Sequence, residues 1–125
     1  MRISFRSLYL VAALSLLCCL GAASSAVASP AKDSAVKEGI HSLQVGIQSY
    51  AVDHHDRYPR FISNAHFRAL MRTYVDNWPR NPYRHRPMRS RFRHAGDFTY
   101  RVSHDRKRFL LVGWGHRGVR VIRVP

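Results

Sequence analysis

The sequence predicts an α+β domain in which a long helix and a short second helix pack on a three-stranded antiparallel meander. Three observations lead to this prediction. After residue 31, apolar side chains recur every three or four positions, which is helical spacing. From Phe98 onward, apolar and polar residues alternate, which is typical of a strand with one face in water. Two short polar segments, 104–107 and 115–118, then divide this part of the chain into three strands.

The first helix is predicted over residues 32–52. Its apolar stripe has spacings of four, three, four and three: Val36, Ile40, Leu43, Ile47 and Tyr50. Gly39 and Gly46 each lower helix propensity by about 1 kcal/mol relative to alanine, so the helix depends on packing. Tyr58 followed by Pro59 ends this segment, because the residue before a proline disfavours the helical conformation.

A second, shorter helix is predicted to begin at Ser63 or Asn64, either of which suits the N-cap position. Its apolar positions again have helical spacing: Phe67, Leu70, Met71 and Tyr74. Residues 77–87 contain three prolines and predict an ordered loop, with two aromatic side chains that pack on the core: Trp78 and Tyr83. Residues 84–94 contain five arginines and predict a solvated loop.

The three strands differ in pattern. Residues 98–103 alternate, which predicts one buried and one wet face. Residues 109–114 are more continuously apolar, which predicts the central strand. The last strand, 119–124, is rich in valine, and its arginines at 120 and 123 suit an edge exposed to water.

The N-terminal 28 residues predict export. A basic start precedes an apolar stretch with no charge before Lys32, and small residues stand at Ala26 and Ala28, so a signal peptide cleaved after Ala28 is predicted. A retained membrane anchor is the alternative, because the uncharged stretch is long enough to span about 30 Å of hydrocarbon. In both cases residues 29–125, the globular domain, lie outside the cytoplasm, either extracellular or in the cell envelope. Contact with a membrane is expected only if the N-terminal segment is retained.

Composition sets further bounds. The 125 residues include 21 Lys and Arg against 7 Asp and Glu, a net charge of +14, and this length allows one small domain and excludes a large enzyme. Hydrophobic residues make up 46% of the chain, which predicts a folded core rather than disorder. Both cysteines, Cys18 and Cys19, lie in the N-terminal segment, so neither a disulfide nor a thiolate metal site is predicted in the domain.

The segment Asp53-His54-His55-Asp56 raises the hypothesis of a metal site. Adjacent histidines are poor co-ligands within one element, and neither an HExxH nor a paired-cysteine pattern accompanies them. A polar helix end is therefore the favoured interpretation, and no metal or cofactor is predicted. The exported part has no cysteine nucleophile or GxSxG motif, and its one glutamate is Glu38, so no catalytic residue is assigned and the protein is predicted to be non-enzymatic.

A set of residues at the helix exit, in the following loop and in the sheet stands in a recognisable order: Tyr50, Asp53, Tyr58, Pro59, Trp78, Asn81, Pro82, Tyr83, Gly96, Asp97, Tyr100, Leu111, Gly113 and Gly115. A helix ending in Tyr, Asp and Tyr-Pro is followed by a Trp and Asn-Pro-Tyr loop and by a small antiparallel sheet. This order resembles the type II secretion and type IV pilin-like proteins, specifically the globular part of G-type pseudopilins. The similarity covers roughly residues 34–125.

The resemblance implies a pilin-like protein that acts by contact with other pilin-like or secretion-system proteins. Two departures limit what is transferred. Residues 1–31 lack the leader cleavage site and the early Glu of such pilins, so a chain cleaved after Ala28 would lose the helix that assembly uses. G-type pseudopilins often bind calcium through acidic residues in a late loop, where this chain has only Asp105 among basic residues, so no calcium site is predicted.

The basic charge points to an alternative function, a secreted protein that binds DNA or another polyanion such as an anionic envelope polymer. Without Arg2 and Arg6, 19 of the 21 basic residues remain against 7 acidic ones, a net charge of +12. Guanidinium groups suit phosphate, and five of them lie in one loop: Arg84, Arg86, Arg89, Arg91 and Arg93. However, 18 of the 21 basic residues are arginine and are spread over the chain, as a GC-rich coding bias would produce without selection for binding.

Overall fold

The computed structural model describes the backbone from Arg6 onward and the side chains from residue 29. The predicted signal peptide or anchor, residues 1–28, therefore lies outside the residues described in full. The chain forms two compact units, Met1–Ala31 and Lys32–Pro125, and every strand that the structure describes lies in the second. Among the described residues, no helix has both the length and the apolar character needed to cross a membrane.

The second unit has the predicted α+β architecture. Helix α1 spans Arg6–Asp53, so it begins well before the predicted start at residue 32, although it ends where the sequence predicts. Its part from residue 32 onward belongs to the second unit. Helix α2, Asn64–Leu70, continues into a 3-10 turn at Met71–Thr73. The strands follow in chain order: β1 Arg80–Asn81, β2 Arg86–Pro87, β3 Phe98–Val102, β4 Phe109–Trp114 and β5 Arg120–Val124.

The predicted meander is confirmed, with sheet order β3–β4–β5 and both pairings antiparallel. Tyr100 lies opposite Leu111, and Val112 lies opposite Arg123. A bulge interrupts the β4–β5 register between Gly113 and Trp114. Strand β4 is central and largely buried, and the two arginines of β5 that were predicted to face water are exposed.

The core lies between α1 and the sheet. The predicted stripe of α1 is buried along its whole length: Val36, Ile40, Leu43, Ile47 and Tyr50. At Gly39 a Cβ atom would lie only 2.9 Å from both the sulfur of Met88 and the Cβ of Pro79. This glycine therefore lets Pro79, just before β1, and Met88, just after β2, pack closely on the helix, which explains why a poor helix former stands there.

Helix α2 begins as predicted, with Ser63 as its N-cap. The Ser63 hydroxyl accepts a hydrogen bond of 3.1 Å from the backbone N–H of His66. The buried side chains of α2 and its 3-10 turn are Phe67 and Met71. The predicted aromatic contacts of the proline-rich loop are also confirmed, since Trp78 and Tyr83 are partly buried against the core.

The arginine loop, residues 84–94, is largely exposed as predicted, but one side chain and its backbone are held on the domain. Met88 is buried, and the backbone runs beside β3, where the N–H of Arg91 donates to the Phe98 carbonyl at 2.7 Å. In return the N–H of Phe98 donates to the Arg89 carbonyl at 3.0 Å. The charge of the loop correctly indicated exposed arginines, but it did not indicate the buried acceptor, Asp97, that holds the Arg86 side chain and the Arg89 backbone on the domain.

Candidate functional site

The arginine loop is anchored on one buried carboxylate. Asp97 is fully buried, and its Oδ2 accepts from the Arg86 Nη2 at 2.8 Å. Its Oδ1 accepts from the Asn81 side-chain amide at 3.0 Å and from the backbone N–H of Arg89 at 3.1 Å. Within residues 29–125 this is the one ion pair. Asp97 therefore fixes the arginine loop at two positions, the side chain of Arg86 and the backbone of Arg89.

Asn81 completes this anchor, and like Asp97 it is fully buried. Its amide nitrogen also donates to the Ala95 carbonyl at 2.9 Å. Its carbonyl oxygen accepts from the backbone N–H groups of Tyr83 at 2.9 Å and Arg84 at 3.1 Å. Both donors of the amide are used and its acceptor is used twice, which is what burial of such a group requires.

Four of the five predicted polyanion-binding arginines are exposed to solvent: Arg84, Arg89, Arg91 and Arg93. The fifth, Arg86, is bound to Asp97, with only 21% of its side chain exposed. The structure therefore separates the five into one arginine that holds the loop and four whose guanidinium groups face water.

The sheet adds three further arginines that the sequence did not single out as a site. A Cβ on Gly113 would point at Ile40 and Val36 of α1, so Val112 and Trp114 point away from the helix. We call this side the outer face. A hollow of about 200 Å³ lies on it, between an apolar floor and surrounding arginines. The floor is Leu110, Val112 and Trp114, and the arginines are Arg101, Arg120 and Arg123.

Phe92 joins the arginine loop to the outer face. Its ring lies 5.3 Å from the Trp114 ring at an interplanar angle of 79°, an edge-to-face contact. Trp114 is itself fixed, because its indole N–H donates to the Thr99 hydroxyl at 2.8 Å. Phe92 is 63% exposed although it makes this contact. An exposed aromatic ring therefore stands at the edge of the hollow, between Arg91 and Arg93.

The sequence indicates parts of this surface but not how they come together. The alternation in residues 98–103 marked Arg101 as water-facing, and Arg120 and Arg123 were predicted to be exposed. Nothing in the local pattern indicated that Phe92, six residues before β3, lies against Trp114 at the end of β4. That contact depends on the loop running beside β3, which in turn depends on Asp97.

The acidic–histidine segment at the end of α1, residues 53–56, makes local contacts. The Asp53 carboxylate accepts from the Tyr74 hydroxyl at 3.0 Å. The His54 ring stacks on Tyr50 with centroids 3.7 Å apart, and its Nδ1 lies 2.7 Å from the Tyr50 carbonyl. In the part of the chain that the structure describes, no three His, Cys, Asp or Glu side chains are grouped so as to hold a metal ion.

The Asn-Pro-Tyr loop contacts the start of the second unit. The Tyr83 hydroxyl donates to Asp33, and the same carboxylate oxygen accepts from the backbone N–H of His116 at 3.0 Å. Burial, and then the Asp33 carboxylate, raise the pKa of Tyr83. A Cβ on Gly115 would lie 2.4 Å from Asp33 Oδ1, so the glycine leaves room for this carboxylate. Pro82 is half-buried beside Tyr83.

The remaining residues of the resemblance support the join between α1 and the sheet. Tyr58 packs edge-to-face on Phe109, with centroids 4.6 Å apart. Pro59 is buried, and its carbonyl accepts from the Tyr100 hydroxyl at 2.7 Å. Trp78 donates its indole N–H to the Met88 carbonyl at 3.0 Å. The motif residues therefore lie in the supporting structure rather than around one cavity.

Tyr100 makes a pH dependence of stability testable. Burial is the main cause that raises the pKa of Tyr100 in the folded protein above its ordinary value of 10. Below pH 10 the hydroxyl is therefore neutral in both the folded and the unfolded protein. Above pH 10 it ionises first in the unfolded protein. The free energy of unfolding should therefore fall from about pH 10 upward, by as much as about 1.4 kcal/mol per pH unit for this group. Urea unfolding between about pH 9 and 12 measures the slope. Tyr100→Phe should make it shallower, and an equal slope in the variant would contradict the assignment.

Comparison with family models, curated proteins and solved structures found no match for this chain.

Proposed function

We propose that the protein is a non-enzymatic, pilin-like component of the cell envelope that acts by protein–protein contact in a type II secretion or type IV pilus-like system. The observation that carries this proposal is the placement of the residues on which the resemblance rests. They connect separate elements of the domain. Tyr58 and Pro59 lie between α1 and the sheet, and the Tyr83 hydroxyl donates a hydrogen bond to Asp33 of α1. Such residues maintain a scaffold, and the exposed surface is left to bind partners.

One exposed face of α1 favours contact with another protein. Val45 is 62% exposed and Val52 is 77% exposed, and they stand seven residues apart on the helix. Seven residues are close to two helical turns, so both side chains point to the same side. They lie outside the buried stripe, with the exposed polar residues Gln48 and Ser49 between them, so this face offers a partner two apolar contacts within a polar surface.

Site-specific photo-cross-linking in the native cells tests this proposal. A cross-linker placed at Val45 or at Val52 should give discrete products, identified by mass spectrometry as pilin-like or secretion-system proteins. The same group at Lys107, an exposed residue in the turn before β4, is the control and should not give them. N-terminal sequencing and intact mass of the recovered protein show whether residues 1–28 are retained. Products that are identical at Val45, Val52 and Lys107 would contradict a specific contact face.

A second candidate function, binding of a polyanion, is favoured by the unpaired positive charge. The chain from residue 29 has 19 basic and 7 acidic residues, since Arg2 and Arg6 of the 21 precede it. One ion pair is formed among these described residues, so most guanidinium groups have no carboxylate partner there. Retention on an immobilised polyanion should fall steeply with salt, because each neutralised phosphate releases counterions. Retention that is unchanged between about 50 and 200 mM salt would contradict this candidate.

A further inference from the structure

We infer that the outer face of the sheet binds single-stranded nucleic acid, with a base stacked on Phe92 and the phosphates paired with the surrounding arginines. This inference deepens the second candidate function and depends on it, because it names the polyanion and the site. Four observations carry it: the arrangement of charge on the outer face, the exposure of Phe92, the fixed position of that ring, and the size of the hollow.

The three arginines of the outer face lie on both sides of the central strand. Arg101 lies on β3, whereas Arg120 and Arg123 lie on β5, with β4 between them. Adjacent strands are about 4.8 Å apart, so the strands that carry these arginines, β3 and β5, are separated by roughly 10 Å across an apolar floor. No acidic residue is among those that line the hollow. A flexible polyphosphate chain complements this pattern, because guanidinium binds phosphate oxygens with two parallel hydrogen bonds.

Phe92 adds an exposed aromatic ring, which a surface that binds only phosphate does not need. The Phe92 ring is 63% exposed, so most of its apolar surface is open to a ligand that can cover it. Every nucleobase has a flat face that stacks on such a ring, whatever the sequence. The flanking residues Arg91 and Arg93 are both exposed, so the ring stands between two cations. Alternating basic and aromatic side chains of this kind are typical of surfaces that bind single strands.

The backbone on both sides of Phe92 is held in place before any ligand binds, and the ring itself packs on Trp114. On one side the N–H of Arg91 donates to the Phe98 carbonyl at 2.7 Å. On the other, the Arg93 carbonyl lies against Gly118, where a Cβ atom would be 2.1 Å from that oxygen. Gly118 also has a φ of +69°, which only glycine adopts readily. A ring fixed in this way loses little side-chain and loop entropy on binding.

The dimensions favour a single strand over a duplex. The hollow has a volume of about 200 Å³, which is smaller than the pockets that enclose drug-sized ligands and suits one planar base lying against its edge. A duplex offers its phosphates but hides the faces of its bases inside the stack, so it cannot use Phe92. A sulfated polysaccharide or an anionic membrane offers charge without planar bases. Stacking therefore distinguishes single-stranded nucleic acid from these other polyanions.

The test measures binding of the full chain to a fluorescent oligothymidine of roughly twelve nucleotides, by anisotropy at about 50 and 200 mM salt. Phe92→Ala should weaken binding by about 5- to 150-fold, and Phe92→Tyr should restore it. Ile62→Ala removes an equally exposed apolar side chain elsewhere and is the matched control. Circular dichroism of each variant checks that the fold is retained.

A second set of variants tests the three arginines of the outer face. Replacing Arg101, Arg120 and Arg123 together with Gln should weaken binding at least about tenfold and reduce the slope of log affinity against log salt by about two, at 0.7 per phosphate contact for a single strand. The charge-matched control replaces three exposed arginines that do not line the hollow: Arg57, Arg60 and Arg68. If both triple variants weaken binding equally, the effect is one of net charge and the proposed site is wrong.

Heparin, duplex DNA and vesicles containing anionic lipid serve as competitors. Stronger competition by an unlabelled single strand than by any of these supports the inference. If heparin binds and Phe92→Ala has no effect on oligothymidine, polyanion binding holds but this inference fails. If vesicles compete best, the surface binds membranes and the inference also fails. If none of the four ligands binds, both the inference and the second candidate function fail.

Discussion

Replacing Asp97 with alanine is expected to lower the free energy of unfolding by about 3–5 kcal/mol. Asp97 is fully buried and accepts hydrogen bonds from Arg86, Asn81 and the backbone of Arg89. Its removal leaves a half-buried guanidinium without its counter-charge, the buried Asn81 amide short of one acceptor and the partly buried N–H of Arg89 without one. An orphaned buried donor costs about 1–3 kcal/mol. Small domains have a total stability of about 5–15 kcal/mol, so the variant should be close to unfolding.

Urea denaturation measures this loss, with Asp76→Ala as the matched control. Asp76 is exposed, so the same change of residue there should alter stability by no more than about 0.5 kcal/mol. Asp97→Asn keeps an acceptor but loses the ion pair, and it should lie between the two alanine variants. A cost below about 1 kcal/mol for Asp97→Ala would show that the network contributes little, and the arginine loop would then be fixed by something other than this carboxylate.

The helices and the meander could be predicted because their signals are local. The stripe from Val36 to Tyr50 repeats at helical spacing, and residues 98–103 alternate, so neighbouring residues alone determine which side chains are buried. The Ser63 N-cap has the same character, because its hydroxyl bonds a backbone group only three residues away. In each case the residues whose burial or capping decides between helix, strand and loop lie close together in sequence.

The arginine loop could not be predicted, because what determines its path lies far along the chain. Arg86 and Asp97 are eleven residues apart, and Asn64 of α2 accepts from the backbone N–H of Ser90, 26 residues later, at 2.7 Å. The composition of residues 84–94 predicts a charged loop in water. The buried Asp97 carboxylate nevertheless holds the backbone of this loop against the domain. The candidate site inherits this, since Phe92 reaches Trp114 only when the loop runs beside β3.

Replacing Phe67 with alanine is expected to have the other large effect, a loss of about 3–5 kcal/mol. Phe67 is 1% exposed and lies among four other aromatic rings, with centroids 4.8 Å away at Tyr100 and 6.1 Å away at Trp78. Alanine removes the ring that joins α2 to the sheet and leaves a cavity that rigid aromatic neighbours fill poorly. Thermal unfolding should show a Tm at least about 12 °C lower, since 1 kcal/mol shifts Tm by about 4–8 °C in a domain of this size.

The same substitution at Phe92 separates stability from binding. Phe92 makes one edge-to-face contact and is largely exposed, so Phe92→Ala should cost no more than about 1.5 kcal/mol. Two phenylalanines are therefore expected to behave in opposite ways, because Phe67 supports the fold with its ring enclosed, whereas Phe92 is held by the fold with its ring open to a ligand. If Phe92→Ala lowered Tm as much as Phe67→Ala, Phe92 would be part of the core, and its exposure would no longer argue for stacking. A Phe92→Ala variant that stays folded and loses oligothymidine binding would assign the ring to recognition.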